Sequence, residues 1–482
     1  EGEHLGGIDL NPAANVVCQD GTYWLKYAGL DSQLILQKWD AQFSPKGLAI
    51  DIGTTTLVVT LFCLVTGKEL STTSSINPQT KFGHDVLSRI QKASTPEGLD
   101  ELAGVVRKEL NRLIQAACQK SNAVVAEILD VVIGGNTTML TLVAAIDPES
   151  LGHLPFAVNI KGGASYAAND FGLDINPAGR IYVPPIVHAF IGSDITAGVL
   201  ACGSIDKQKP SLFVDVGTNG EMGINNNGRF IVASTAAGPA FEGGGLKFGM
   251  RAEKGAIEDF SIDPITLEPM LITIGNVRAK GICGSGLIIM VAVMFEMGII
   301  NNLGKFDRDL DIPRIRADNG IYEYVLAWKD ETQIGRDVTL TEIDIENLIR
   351  AKGAIYSGCM TLLTEVGMSI SDIEHIILAG GFGSYVDLEK AMTIGLLPEM
   401  DTDKVTFIGN GSLMGARMSS LTNRIRQDVS EVTKKMTNFE LSDTPSYMDN
   451  YVAALFLPHT DMNQFPELKS RLEARKKMTV NK

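Results

Sequence analysis

Apolar positions along this chain follow two rhythms. Short unbroken runs have the length and density of buried strands: Leu48-Ala-Ile before Asp51, Leu212-Phe-Val before Asp215, residues 128–133 and residues 375–379. Elsewhere apolar residues return at helical spacing. Leu102, Val105, Val106, Leu110, Leu113 and Ile114 predict a helix over 98–120, and Ile343, Ile345, Leu348, Ile349 and Ile355 predict another over 342–367. Further helices are expected near 285–298 and from Ser412, and Asn136-Thr137-Thr138 reads as a helix cap directly after a strand. The charged stretch Glu467–Lys477 reads as the solvated face of a helical tail. The pattern predicts an α/β chain in two lobes, 48–204 and 205–430. A small β-rich remnant of a preceding domain at 1–46 and a helical tail at 431–482 flank them.

Two of the strand runs share a longer signature. Asp51-Ile-Gly53-Thr54-Thr55-Thr56 and Asp215-Val-Gly217-Thr218-Asn219-Gly220 each end an apolar run with Asp, one apolar residue and Gly-Thr, and a second strand follows. The aspartates lie 164 positions apart (215 − 51), so one hairpin unit has been used twice. Glycine lets a backbone approach an anion closely, and successive N–H groups form an anion-binding nest. A carboxylate at each strand end suits Mg²⁺, which keeps most of its water and takes few protein ligands. Two such hairpins facing across a cleft are expected to grip a polyphosphate and its metal. A third element, Leu378-Ala-Gly380-Gly381-Phe382-Gly, runs from a strand into a glycine-rich turn where a flat purine can lie against main chain.

Composition narrows the choice. The 482-residue chain carries a net charge of −15, which argues against nucleic acid as a partner. Its six cysteines, Cys18, Cys63, Cys118, Cys202, Cys283 and Cys359, are well spread, form no C-x₂-C pair and suit a reducing cytoplasm. The six histidines show no metal-ligand spacing, and no apolar run is long enough for a membrane span. Phe407-Ile-Gly409-Asn-Gly411-Ser-Leu-Met-Gly415 imitates a dinucleotide fingerprint, but no convincing strand follows its helix.

At these motifs the chain resembles the acetate kinase/sugar kinase/heat-shock ATPase/actin superfamily, over roughly residues 48 to 425. The resemblance implies a two-lobed actin-like fold of duplicated ribonuclease-H-like domains. Residues 186–198 and 408–416 are similar to the two helices that cross between its lobes. Longer segments are similar to reductive activators of corrinoid proteins: Ile76-Asn77-Pro-Gln79 to Arg89-Ile90, Ile133-Gly-Gly-Asn136-Thr137-Thr-Met139, Ala236-Ala-Gly238-Pro-Ala-Phe241-Glu242-Gly243 and Lys280-Gly-Ile-Cys283-Gly-Ser-Gly286. That family couples ATP hydrolysis to returning a cobalt(II) corrinoid on a partner protein to cobalt(I).

The resemblance implies ATP or ADP with Mg²⁺, and Asp51 and Asp215 on the metal side. Asp215 or Asp194 would orient the attacking water, with Glu221 an alternative base. Gly53, Thr54, Thr55, Thr56, Gly217, Thr218, Asn219 and Gly220 would cradle phosphates. Gly380, Gly381 and Phe382 would frame adenosine, with Gly238, Gly243 and Gly244 close by. It also implies a ferredoxin-like electron donor, a homodimer, and an iron–sulfur cluster held by four closely spaced cysteines. The cysteine spacing here places such a cluster in a domain outside this chain. A small-molecule kinase and a nucleotide-binding assembly protein share the fold and stand as alternatives.

Overall fold

The computed structural model describes residues 14–19, 22–28, 34–38, 44–201, 209–226, 228–310, 312–381 and 386–480. The chain divides into two units. The first comprises Glu1–Gln208, Gly228–Phe230 and Asn410–Asn438; the second comprises Lys209–Asn227, Ile231–Gly409 and Phe439–Lys482.

The first unit opens with an antiparallel sheet of β1 (Ala14–Gln19), β2 (Thr22–Ala28) and β3 (Leu34–Lys38), in the segment expected to be β-rich. Its main sheet is built on the first Asp-Gly-Thr hairpin, β4 (Lys46–Ile52) and β5 (Thr56–Cys63), followed by β6 (Glu69–Ile76). Helices α1 (Val86–Lys92) and α2 (Pro96–Lys120) come next, and α2 starts where Thr95 accepts from the Gly98 amide and Pro96 takes the first turn. Then β7 (Ile128–Gly135) leads through an Asn136 cap into α3 (Thr137–Val143). The sheet closes with β8 (Ala164–Ala167) and β9 (Arg180–Val183), and α4 (Ser193–Ala201) follows. The strand order is β6-β5-β4-β7-β9-β8. Strand β4 runs antiparallel to β5 and parallel to β7, and β7 runs parallel to β9. Leu48, Ile50 and Ile52 pack with Leu102, Val106 and Leu110 of α2, while Ala49 on the opposite face packs with Val132 and Tyr182.

The second unit repeats this scheme on its own hairpin, β10 (Ser211–Val216) and β11 (Asn219–Asn226), with β12 (Arg229–Ala236) beside β11. Between β12 and the next helices lie two small sheets that the sequence reading did not foresee. One has order β14-β13-β15, formed by β13 (Ala256–Ile262), β14 (Pro269–Thr273) and β15 (Gly281–Ile282), with α5 (Gly284–Glu296) after it. The other holds β16 (Ile315–Asp318), β17 (Ile321–Ala327) and β18 (Val338–Thr341). Helix α6 (Glu342–Glu365) then starts in a capping box of Thr341 and Asp344, and β19 (His375–Gly380), α7 (Leu388–Thr393) and β20 (Val405–Gly409) follow. Strand β10 is antiparallel to β11 and parallel to β19, and β19 is parallel to β20. The order β12-β11-β10-β19-β20 thus repeats β6-β5-β4-β7-β9, as duplicated ribonuclease-H-like units require.

The chain then returns to the first unit as α8 (Gly411–Leu421) and α9 (Asn423–Thr433). Continuity along the sequence had grouped residues up to 430 with the second lobe. The physical reason for the difference is packing: Ala416 and Leu421 bury against Ala49, Val132 and Tyr182. A Cβ on Gly415 would also lie 2.1 Å from the Ala197 carbonyl oxygen, so α8 crosses α4 at the closest approach a glycine permits. Helices α10 (Pro445–Ala454) and α11 (Pro466–Val480) end the chain's described part. Among the described residues no helix is long and apolar enough to cross a membrane.

Helix α9 is tied down by a buried ion pair. Arg426 donates to Asp130 of β7 at 2.7 Å and to the Ser419 carbonyl at 2.6 Å, and lies 4.4 Å from the Tyr182 ring centre. Ser420 donates to the same Asp130 oxygen. Removing one member of such a pair strands a buried charge, so Arg426→Ala is expected to cost about 3–5 kcal/mol in urea unfolding of this unit. Adding Asp130→Ala should recover much of that loss.

Candidate functional site

The turn between β4 and β5 is held from behind. Gly53 N–H donates to the Thr56 carbonyl at 2.9 Å, and a Cβ on Gly53 would lie 2.8 Å from that oxygen, so the turn needs glycine. The carbonyls of Gly53, Thr54 and Thr55 accept, in order, from Asn77 Nδ2 at 2.9 Å, Arg89 Nη2 at 2.6 Å and the Asn77 amide at 2.8 Å. In a trans peptide the following N–H points opposite to its carbonyl. The Gly53 and Thr54 carbonyls drawn inward therefore turn the Thr54 and Thr55 N–H groups the other way, as an anion nest requires. The Thr54 hydroxyl is buried and accepts from Asn136 Nδ2 at 2.9 Å, so it serves as a turn anchor in this structure. Asn136 caps α3 with its other side-chain atom.

Asp51 sits at the carboxyl end of β4, beside Gly134 of the parallel neighbour β7. Asn410 Nδ2 donates to one of its oxygens at 2.7 Å and Ser412 Oγ to the other at 2.9 Å, both from the start of α8. Burial raises the Asp51 carboxyl above its ordinary range, against these two hydrogen bonds, which lower it. Asp194, in the first turn of α4, is pushed up to about 7, first by burial and then by the charge of Asp51, while the Ile195 amide pulls the other way. Two crowded carboxylates that resist charging together are a hard-oxygen set suited to a hydrated Mg²⁺.

The second turn is built differently. Thr218 donates through its amide at 3.0 Å and its hydroxyl at 3.1 Å to the same Glu242 oxygen, and its carbonyl accepts from Gly238 N–H at 2.8 Å. A side-chain carboxylate thus occupies the Gly217–Thr218 turn. Asp215 and Glu221 are cross-strand partners, so both project from one face of the hairpin. Glu221 is buried, where a strand on the surface would have exposed it. Parallel pairing with β19 places Gly380 beside Val216, so the glycine-rich turn opens at the same strand end as the hairpin. Phe382 lies outside the described residues.

Space separates glycines with room for a ligand from glycines needed for packing. A Cβ on Gly238, whose φ is +86°, or on Gly381 would meet nothing within 4 Å. A Cβ on Gly220 would press on Ile355 of α6 at 2.7 Å, one on Gly243 on the Met250 carbonyl oxygen at 2.4 Å, and one on Gly244 on Pro239 at 2.6 Å. The last three are accounted for by close packing.

Sequence reasoning placed Asp51, Asp194 and residues 53–56 on one unit, and Asp215, 217–221, 238, 243, 244, 380 and 381 on the other. The structure brings Asp194 within reach of the charge of Asp51 at the end of β4, sets Glu221 and Gly380 beside the β10–β11 hairpin and Gly238 on the Thr218 carbonyl, and packs Gly243 and Gly244 on Met250 and Pro239. Missed were Asn77, Arg89, Asn136, Asn410, Ser412 and Glu242. All but Ser412 and Asn410 lie in the long segments that stood out beyond the superfamily motifs, which was the available signal. Cys63, Cys118, Cys283 and Cys359 are free, and no group of three or more His, Cys, Asp or Glu among the described residues could hold a metal ion.

Comparison with known proteins adds lineage to this geometry. Residues 209–469 match the family described as the C-terminal domain of RACo, the ASKHA domain, and residues 46–207 match the RACo middle region. The corrinoid activation enzyme RamQ of Eubacterium limosum is 35% identical over 414 residues, covering 84% of this chain and 69% of that protein. A protein of Methanosarcina barkeri named [Co(II) methylated amine-specific corrinoid protein] reductase is 30% identical over 420 residues, 81% of this chain and 73% of that one. The solved structure of a reductive activator for corrinoid, iron-sulfur protein superposes with a TM-score of 0.89 at 41% identity, over 92% of this chain and 71% of that one.

The Asp51–Asp194 pair makes stability depend on pH. Unfolded, Asp194 loses its proton in the ordinary carboxylate range; folded, it keeps it to about pH 7. Its contribution is therefore fully present below the ordinary range and is lost as pH rises through about 7. Asp194→Asn cannot charge, so it should melt a few degrees above wild type at pH 8, with the gap closing toward pH 4. A gap that does not change with pH would show that the Asp194 carboxyl is not raised in the folded protein.

Proposed function

We propose that this chain, which belongs to the reductive activators of corrinoid proteins, binds and hydrolyses ATP to drive reduction of a cobalt(II) corrinoid on a partner protein to cobalt(I). Its fold is the actin-like ATPase fold of that family. The observation that carries the ATPase reading is the repeated hairpin: in each unit an Asp-x-Gly-Thr turn ends the central strand, beside a parallel strand that itself ends in glycine. Ligands of open α/β sheets bind at such carboxyl ends.

In this reading the Thr54 and Thr55 amides and the Gly217–Thr218 turn hold phosphate oxygens, and Glu242 gives way to phosphate at the second turn. Asp51, with Asp194 beside it, and Asp215 would hold a hydrated Mg²⁺. Mg²⁺, when present, neutralises charge on the transferring phosphate. Asp194, Asp215 or Glu221 orients the attacking water. Gly381 and Gly238 leave room for the nucleoside beside Gly380 at the end of β19, while Gly220, Gly243 and Gly244 shape the loops around it. The reduction takes one electron per cobalt; we place its source in a ferredoxin-like iron–sulfur donor, with ATP supplying the free energy of the conformational change that lets it through. A small-molecule kinase would need an acceptor site with its own base, and nothing among the described residues favours one.

The reading is tested by measuring phosphate release and cobalt(I) formation with Mg-ATP, a low-potential donor and a corrinoid protein. Slow release by the chain alone that accelerates with the corrinoid protein is expected, and Asp51→Ala or Asp215→Ala should lower it about 100-fold or more. Transfer of the γ-phosphate to an acceptor, or nucleotide-driven polymerisation, would replace the proposal. Gly381→Ala adds a separate check. Because its Cβ enters open space, thermal stability should be unchanged. ATP and ADP affinity should nonetheless fall several-fold by calorimetry, whereas undiminished affinity would remove this turn from the nucleoside site.

A further inference from the structure

Arg89 is fully buried and forms no ion pair among the described residues. Its guanidinium is held by neutral groups: Nε donates to the Gly83 carbonyl at 3.0 Å, Nη2 to the Thr54 carbonyl at 2.6 Å, and Nη1 contacts Met139 Sδ at 3.0 Å and Gln79 Oε1 at 3.4 Å. The nearest acidic influence is Asp85, an exposed helix cap already committed to the amide and hydroxyl of Ser88. Burial depresses the guanidinium to about 10, which marks the cost of charging it there.

A buried charge without a counterion is expensive, and an anion bound nearby would relieve that cost. This one lies directly behind the turn whose amides face outward. The bond from Nη2 to the Thr54 carbonyl does two things at once: it fixes the peptide plane that aims the Thr55 N–H, and it polarises that peptide toward an anion on its far side. We propose that Arg89 is a positioning residue for the phosphates of the bound nucleotide, acting through the Thr54–Thr55 peptide. The inference rests on the nucleotide reading of the first turn and assigns that turn its source of positive potential.

The test compares binding of Mg-ATP, Mg-ADP, AMP and adenosine to the full chain by calorimetry, for wild type, Arg89→Met and Arg89→Lys, with melting temperatures measured alongside. A positioning role through charge predicts a loss that grows with ligand charge. For Arg89→Met we expect about tenfold or more for ATP, less for ADP, little for AMP and none for adenosine, with partial rescue in Arg89→Lys. Equal losses for all four ligands, or none, in a variant that melts like wild type would overturn the proposal. If Arg89→Met does not fold, Arg89→Gln, which keeps donors for the Thr54 and Gly83 carbonyls without the charge, is read in the same way. Failure of both to fold would make Arg89 structural and also overturn it. Wild-type protein that binds none of the ligands would sink the ATPase reading instead.

Discussion

The inward direction of three carbonyls, those of Gly53, Thr54 and Thr55, governs the first unit's candidate site. A hairpin turn at the end of a central strand has no sheet partner for these groups, and left alone they would face whatever ligand approached. Asn77, Arg89 and Asn136 hold the turn, and they come from the segment after β6, from α1 and from the end of β7. The long stretches 76–90 and 133–139 are therefore the hands that grip a six-residue motif. A turn held this way presents amides and hides acceptors, which separates an anion site from an ordinary hairpin.

The second unit repeats the backbone scheme and reverses part of the electrostatics. Its strand order matches the first, and its hairpin ends at the same place beside a parallel strand. Here, however, a carboxylate lies on the Gly-Thr turn, since Glu242 takes both donors of Thr218. Arg251 stands within Coulombic range of that carboxylate and is itself held below its ordinary range by burial. A duplicated scaffold has thus kept the geometry of its turns while the residues behind and before them diverged.

Most of the framework was legible in the sequence because the signals were strong and local. Buried strands with Asp at their ends, helical spacing over 98–120 and 342–367, and the Asn136 cap all appear where periodicity and capping chemistry put them. The small sheets between β12 and α6 were not legible. Strands such as β14 and β16 are half-exposed edges; β14 carries apolar residues on both faces, so its sequence shows no alternation, and nothing in a short stretch like Ile315–Asp318 distinguishes a strand from a loop. The site was legible as motifs, and its support was not. Asn410 and Ser412 reach Asp51 from about 360 positions away along the chain, a proximity no spacing rule anticipates. Packing alone requires glycine at Gly220, Gly243 and Gly244, whereas a Cβ at Gly238 or Gly381 would meet open space, a distinction no motif shows.

The charges of the first unit also constrain which way a ligand can lie. Asp51 and Asp194 crowd each other and gain from a cation, whereas Arg89, behind the neighbouring turn, gains from an anion. Each group is only partly relieved by the protein: Asn410, Ser412 and the Ile195 amide donate to the carboxylates, and neutral carbonyls hold the guanidinium, but among the described residues no opposite charge forms an ion pair with any of the three. A magnesium polyphosphate carries both signs at fixed separation, so it can relieve both costs only with its metal toward the carboxylates and its oxygens toward the Thr54 and Thr55 amides. Reversing the ligand would set phosphate against carboxylate and metal against a buried cation. In the proposed reading, orientation would be set by where the unbound protein is least comfortable, so that one turn would trade stability for specificity.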